Sequence, residues 1–88
     1  MNITVNYYAQ LRQAAGTETE TIEIPDGTTV PDALRSVDHG EAFKTLLFDD
    51  AGALRPVILL VVNDLPAMPD RILNSGDSLS VFSPVAGG

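Results

Sequence analysis

Both ends of this chain repeat with a period of two, and a stretch between them repeats with the period of a helix. Ile3, Val5 and Tyr7 alternate with Asn2, Thr4, Asn6 and Tyr8, and Leu79 and Val81 alternate with Ser78, Ser80 and Phe82. Successive side chains of a strand point to opposite faces, so each pattern describes a strand with one face in the core. Val30, Ala33, Leu34 and Val37 fall instead at i, i+3, i+4 and i+7, the apolar stripe of a helix. The terminal strands therefore share a core with at least one helix. That excludes all-helical and all-β architectures and leaves an α+β fold.

The remaining elements follow from local signals. Gln10 to Ala15 forms a short helical turn stopped by Gly16. Thr19 to Ile24 alternates again, with Ile22 and Ile24 inward, and Pro25-Asp26-Gly27 is a turn. Thr29 and Asp32 have capping-box spacing at the start of the helix, and Gly40 lies just past its end. Phe43, Leu46 and Leu47 mark a second short helical piece, and residues 49–55 a polar loop. Val57 to Val62 is an unbroken apolar run of six residues, read as the most buried strand. Residues 65–73, with Pro66 and Pro69, give a short edge strand and a turn. Ser75-Gly76-Asp77 turns the chain into a last strand, Ser78 to Ser83. The order β-β-α-(short helix)-β-β predicts a mixed sheet with helix across one face. At 88 residues this is one domain, residues 1–83, followed by a flexible tail, residues 84–88.

Composition removes most chemistries. There is no cysteine, hence no disulfide, thiolate metal site or thiol nucleophile. The longest apolar run falls far short of the ~20 residues of a membrane span, and the N-terminus lacks a signal-peptide pattern. A cytoplasmic location and no membrane partner are expected. The net charge of −7 argues against nucleic acid and favours basic protein surfaces. The one histidine, His39, sits beside Asp38 and Gly40, where capping or simple exposure is the expected role. Asp49-Asp50 reads as a solvated loop, with weak calcium binding as the alternative. Lys44 is the only lysine, and no phosphate-cradling glycine motif occurs. No independent catalytic site is expected, and neither a metal nor a permanently bound cofactor.

What remains is the end of the chain. Pro84-Val85-Ala86-Gly87-Gly88 can reach about 17 Å when extended. Two glycines without Cβ atoms can thread a narrow tunnel and present a terminal carboxylate to another protein's reactive groups. Phe82 and Tyr8 both fall on the outward, otherwise polar faces of their strands. Aromatics beside an extended tail make good partner anchors.

These residues carry a resemblance. Tyr7-Tyr8-Ala9-Gln10-Leu11-Arg12 with Ala15-Gly16, Thr29-Val30 with Ala33-Leu34, Val61-Val62-Asn63, Gly76-Asp77 and the run Val81 to Gly88 together resemble the ubiquitin-like sulfur carriers. The likeness is greatest to the small subunit of molybdopterin synthase and spans essentially the whole chain. It implies a ubiquitin-like β-grasp fold: a mixed four- to five-stranded sheet, one main helix and short helical turns. It also implies a reaction. An adenylyltransferase related to ubiquitin-activating enzymes uses ATP to adenylate the Gly88 carboxylate, which a sulfur donor converts to a thiocarboxylate. The large synthase subunit then receives the sulfur for the dithiolene of molybdopterin, the molybdenum cofactor's ligand. The resemblance assigns Gly88 as the reactive residue, Pro84, Val85, Ala86 and Gly87 to the inserted tail, and Tyr8 and Phe82 to the partner interface. Ser83 stands where the family often has proline. The same tail chemistry would also serve tRNA thiolation, cysteine or thiamine synthesis, or conjugation to lysine. A plain interaction module is the remaining alternative.

Overall fold

The computed structural model describes residues 1–83, in which the opening alternation forms strand β1 (Asn2–Tyr7). After it come α1 (Gln10–Ala15), β2 (Thr19–Glu23), α2 (Val30–Ser36), α3 (Gly40–Leu47), β3 (Leu59–Val62), β4 (Leu65–Pro66) and β5 (Ser78–Phe82). The strands make one sheet in the order β2-β1-β5-β3-β4. First and last strands lie side by side and parallel, Thr4 opposite Ser78 and Tyr7 opposite Val81. The other three pairings are antiparallel. This is the ubiquitin-like β-grasp arrangement that the resemblance implies.

The core lies on one side of the sheet. Ile3, Val5, Tyr7, Leu60, Val62, Leu79 and Val81 are buried, each at alternate positions of its strand. Against them pack Leu11 from α1, Val30, Ala33 and Leu34 from α2, and Phe43 and Leu47 from α3. The helical cover is divided between α2 and α3, of seven and eight residues. Helices this short are not stable alone, so their apolar faces and the sheet hold each other in place. Among the described residues, no helix is long and apolar enough to cross a membrane.

Three local expectations are corrected. Val57 to Val62 is not the most buried strand: β3 starts at Leu59, and Val57 and Leu59 are 57% and 66% exposed. With helices on one face only, a continuous apolar run must leave every second side chain outside, and β3 does so at Leu59 while burying Leu60. The capping box does not form. Thr29 occupies the N-cap position without a side-chain cap bond, and Asp32 Oδ1 accepts from Arg35 Nη1 at 2.7 Å instead. Gly40 does not end α2, which stops at an extended Val37. It opens α3 with φ +86°, a left-handed turn that glycine makes without strain.

The turn into β4 uses Asn63 and Asp64, both left-handed (φ 52° and 69°), the geometry of a tight hairpin. Asn63 also ties this hairpin to β5. Its Nδ2 donates to Asp77 Oδ1 at 2.8 Å, and its Oδ1 accepts from the Ser78 N–H at 2.9 Å. Asp77 is buried, and its Oδ2 accepts from the Asn74 N–H at 2.8 Å.

Leu59 and Leu60 are adjacent and chemically identical, so they separate core from surface. Leu60→Ala is expected to cost about 2–5 kcal/mol by cavity formation, and Leu59→Ala under about 1 kcal/mol. Urea unfolding of both variants checks this. Equal losses would contradict a sheet with one covered face.

Candidate functional site

The parallel register that pairs Tyr7 with Val81 brings the next residues, Tyr8 and Phe82, together on the opposite, outer face. Their rings stack at a centroid distance of 4.3 Å and an angle of 12°. Offset stacks of this kind are worth about 0.5–1.5 kcal/mol beyond burial. Phe82 lies directly opposite Leu59 of β3, which extends the pair into an apolar strip of three side chains. Tyr8 is 41% exposed. The strip continues past Leu59 into an apolar recess lined by Pro66, Ala67 and Met68. Reading residues 57–62 as a buried strand concealed Leu59. The signal that finds it is its register opposite Phe82.

The backbone holds Tyr8 in this position by an unusual turn. Ala9 has φ 53° and ψ −124°, a conformation that normally needs glycine. Such a residue costs on the order of 1–3 kcal/mol. It ends β1 at Tyr7 and directs the chain into α1, which Gly16 closes in the left-handed conformation, its N–H on the Arg12 carbonyl.

The inner face carries a polar knot. Glu20 Oε2 accepts from the Tyr7 hydroxyl at 2.6 Å and lies 2.5 Å from His39 Nε2. A carboxylate only accepts, so Nε2 carries the hydrogen in this contact. His39 also packs edge-on against Tyr7 and Phe43. It is therefore neither a side-chain cap nor simply exposed, but a link between edge strand β2 and the start of α3. Burial, and then the Glu20 hydrogen bond and charge, push the Tyr7 phenol far above its usual range. Burial alone would raise Glu20, but the bonds from Tyr7 and His39 and the His39 charge outweigh it and hold the carboxyl below its usual value. Asp77 behaves likewise: burial raises it, and the Asn74 N–H, the Asn63 amide and the Arg71 charge lower it further.

The other predicted positions separate. Asp49 Oδ1 accepts from the Ala51 and Ala53 N–H groups, which closes its own loop. Among the described residues, no three His, Cys, Asp or Glu side chains are grouped to hold a metal ion. Lys44 stands exposed on α3. Ser83 Oγ is buried without a hydrogen-bond partner among the described residues. The tail assigned as Pro84, Val85, Ala86, Gly87 and Gly88 lies outside the described residues.

Comparison with known proteins gives a consistent result. The model of the ThiS family matches residues 5–88. Small archaeal modifier protein 1 of Haloferax volcanii is 33% identical over 82 residues, which cover 92% of this chain and 94% of that protein. A crystal structure of SAMP1 from Haloferax volcanii superposes with a TM-score of 0.89 at 30% identity, over the full length of both chains. A putative molybdopterin converting factor subunit 1 from Pyrococcus furiosus superposes with a TM-score of 0.75 at 34% identity, covering 97% of this chain and 99% of that one.

The two carboxylates make a prediction about acid. A group whose folded pKa lies below its unfolded value binds fewer protons when folded. Its stabilisation is complete above the unfolded pKa and is lost as pH falls through the folded one. The thermal midpoint should therefore hold steady above about pH 5 and drop below about pH 4. Glu20→Gln and Asp77→Asn should each lower the midpoint at neutral pH and flatten that drop. A midpoint that rises on acidification would contradict both assignments.

Proposed function

Since the chain belongs to the ThiS family, we propose that it is a carrier protein that offers the Gly88 carboxylate to an ATP-dependent adenylyltransferase. Gly88 then passes on sulfur as a thiocarboxylate, with molybdopterin synthesis as the first pathway. One observation carries this reading: the Tyr8–Phe82–Leu59 strip stands at the end of β5, the strand that leads into residues 84–88.

The chemistry suits these residues. A carboxylate is a poor electrophile. Attack of a Gly88 oxygen on the α-phosphorus of ATP releases pyrophosphate and leaves an acyl-adenylate, whose good leaving group is AMP. A sulfur nucleophile then displaces AMP, and the acyl carbon gains a sulfur in place of one oxygen. The chain has no cysteine, so the C-terminal carboxylate is the group on which sulfur can be carried. The work of the described residues is recognition. Tyr8, Phe82 and Leu59 supply an apolar anchor, while glycines at 87 and 88 pass where a Cβ would block entry. The adenylyltransferase and the large subunit of molybdopterin synthase are the partners this reading requires. The 34% identical molybdopterin converting factor subunit supports it.

Similarity to a small archaeal modifier protein favours a second reading, in which a lysine amine of another protein attacks the same acyl-adenylate. An isopeptide bond forms and AMP leaves. Both readings use one activated terminus and differ in the nucleophile.

Intact-mass analysis tests the first reading. After incubation with the purified adenylyltransferase, ATP and a sulfur donor, one oxygen should be exchanged for sulfur. Deleting Gly88 should abolish the exchange and leave the unfolding midpoint unchanged. Phe82→Ala should weaken binding to the adenylyltransferase at least about tenfold. An unchanged mass with an enzyme active on its own carrier would reject the sulfur reading. The second reading has its own signature. Arg71 is the last basic residue, so trypsin would leave residues 72–88 branched from the acceptor lysine.

A further inference from the structure

The two edges of the sheet are protected in different ways. At one edge β4 is only two residues long and includes Pro66, which has no N–H to offer. At the other edge β2 runs for five residues, Thr19 to Glu23, and pairs only with β1 among the described residues. Its hydrogen-bonding phase is set at both ends: the Tyr7 N–H donates to the Glu18 carbonyl, and the Ile24 N–H to the Met1 carbonyl. In an antiparallel pair, hydrogen-bonded and non-bonded positions alternate. Glu20 and Ile22 therefore turn their backbone groups toward β1, while Thr19, Thr21 and Glu23 turn theirs away. The Thr19 carbonyl accepts from the Thr17 hydroxyl at 2.9 Å. The Thr19 N–H and both backbone groups of Thr21 and Glu23 have no bond among the described residues.

Charge protects this edge. Glu18, Glu20 and Glu23 lie on or beside β2, Asp26 follows it, and Asp38 precedes the histidine that touches Glu20. Arg12, paired with Glu18 at 2.8 Å, is the one Lys or Arg side chain bonded to any of these carboxylates among the described residues. Acidic side chains on an edge repel a second copy of the same edge. They attract a strand of opposite sign.

We propose that the outer edge of β2 is a strand-addition site for an extended protein segment that alternates basic and apolar residues. Backbone bonds to Thr19, Thr21 and Glu23 supply the pairing. Apolar side chains of the added strand lie over the half-buried Ile22 on the inner face, and its cations, on the outer face, reach Glu23. β1 separates β2 from β5. The site is thus distinct from the Tyr8–Phe82 stack and does not depend on what the tail carries.

Amide hydrogen exchange followed by NMR tests this on the full chain. The probe is a short, capped lysine–valine alternating peptide at about 0.15 M ionic strength. With free peptide at ten times its Kd, exchange at Thr19, Thr21 and Glu23 should slow about tenfold, and exchange at Ile22, already in the ladder, should change little. Thr21→Pro removes an outward N–H that β1 does not use, and should abolish the protection. Peptides N-methylated at alternate nitrogens, in both phases, keep the charge; one phase should lose binding, and this arm decides the matter if Thr21→Pro does not fold. Equal binding by both methylated peptides, or protection spread over other acidic surfaces, would reduce the effect to bulk attraction and overturn the proposal. Protection of the same amides without peptide, rising with protein concentration, would make a second copy the occupant and overturn it equally.

Discussion

Helices cover one face of the five-stranded sheet, and among the described residues nothing covers the other. Most of the structure depends on that asymmetry. It divides every strand into an inner set, such as Ile3, Val5 and Tyr7, and an outer set, such as Thr4, Asn6 and Tyr8. The inner set drives folding by leaving water. The outer set is free to be chosen for contact with something else. Across the centre of the sheet that choice is small and polar: the Asn6 amide bonds to the hydroxyls of Ser78 and Ser80. At one end it turns aromatic, where Tyr8 stacks on Phe82. Tyr8 and Phe82 are the aromatic exception on outer positions of β1 and β5 that are otherwise small and polar.

The same asymmetry explains which features were legible in the sequence. Where apolar and polar residues alternate, as in β1 and β5, strand, inward face and outward aromatics all follow from spacing. Where the run is unbroken, as in Val57 to Val62, spacing is silent. An apolar run fits a strand buried on both faces as well as one that exposes Leu59. Only the cross-strand register, which places Leu59 opposite Phe82, resolves it. The Glu20–His39 contact was illegible for another reason. The two residues belong to different elements, and their meeting depends on how α3 settles against β2. Local cap signals misled for a third reason: the Asp32 carboxylate found a better partner in Arg35 than the backbone N–H groups offered.

Acidity also has a distribution. Among the described residues, the central outer positions of β1 and β5, from Thr4 and Asn6 to Ser78 and Ser80, carry no charge, whereas Glu18, Glu20 and Glu23 stand on or beside the β2 edge. An overall charge of −7 suggests only solubility. With the charge so placed, a partner on the Tyr8–Phe82 stack and a strand added at β2 would not compete for the same side chains.

The place of β5 in the sheet has a consequence for biosynthesis. Among the described residues β5 is the last strand, and it sits between β1 and β3, so these have no common neighbour until it is made. Synthesis proceeds from the N-terminus, and non-local pairings of this kind form late. Phe82, half of the aromatic stack, is the final residue of that strand. A nascent or truncated chain that stops short of it has neither a closed sheet nor a stack to grip. A partner that recognises Tyr8 against Phe82 therefore selects finished molecules and ignores fragments, and the fold serves as its own certificate of completion.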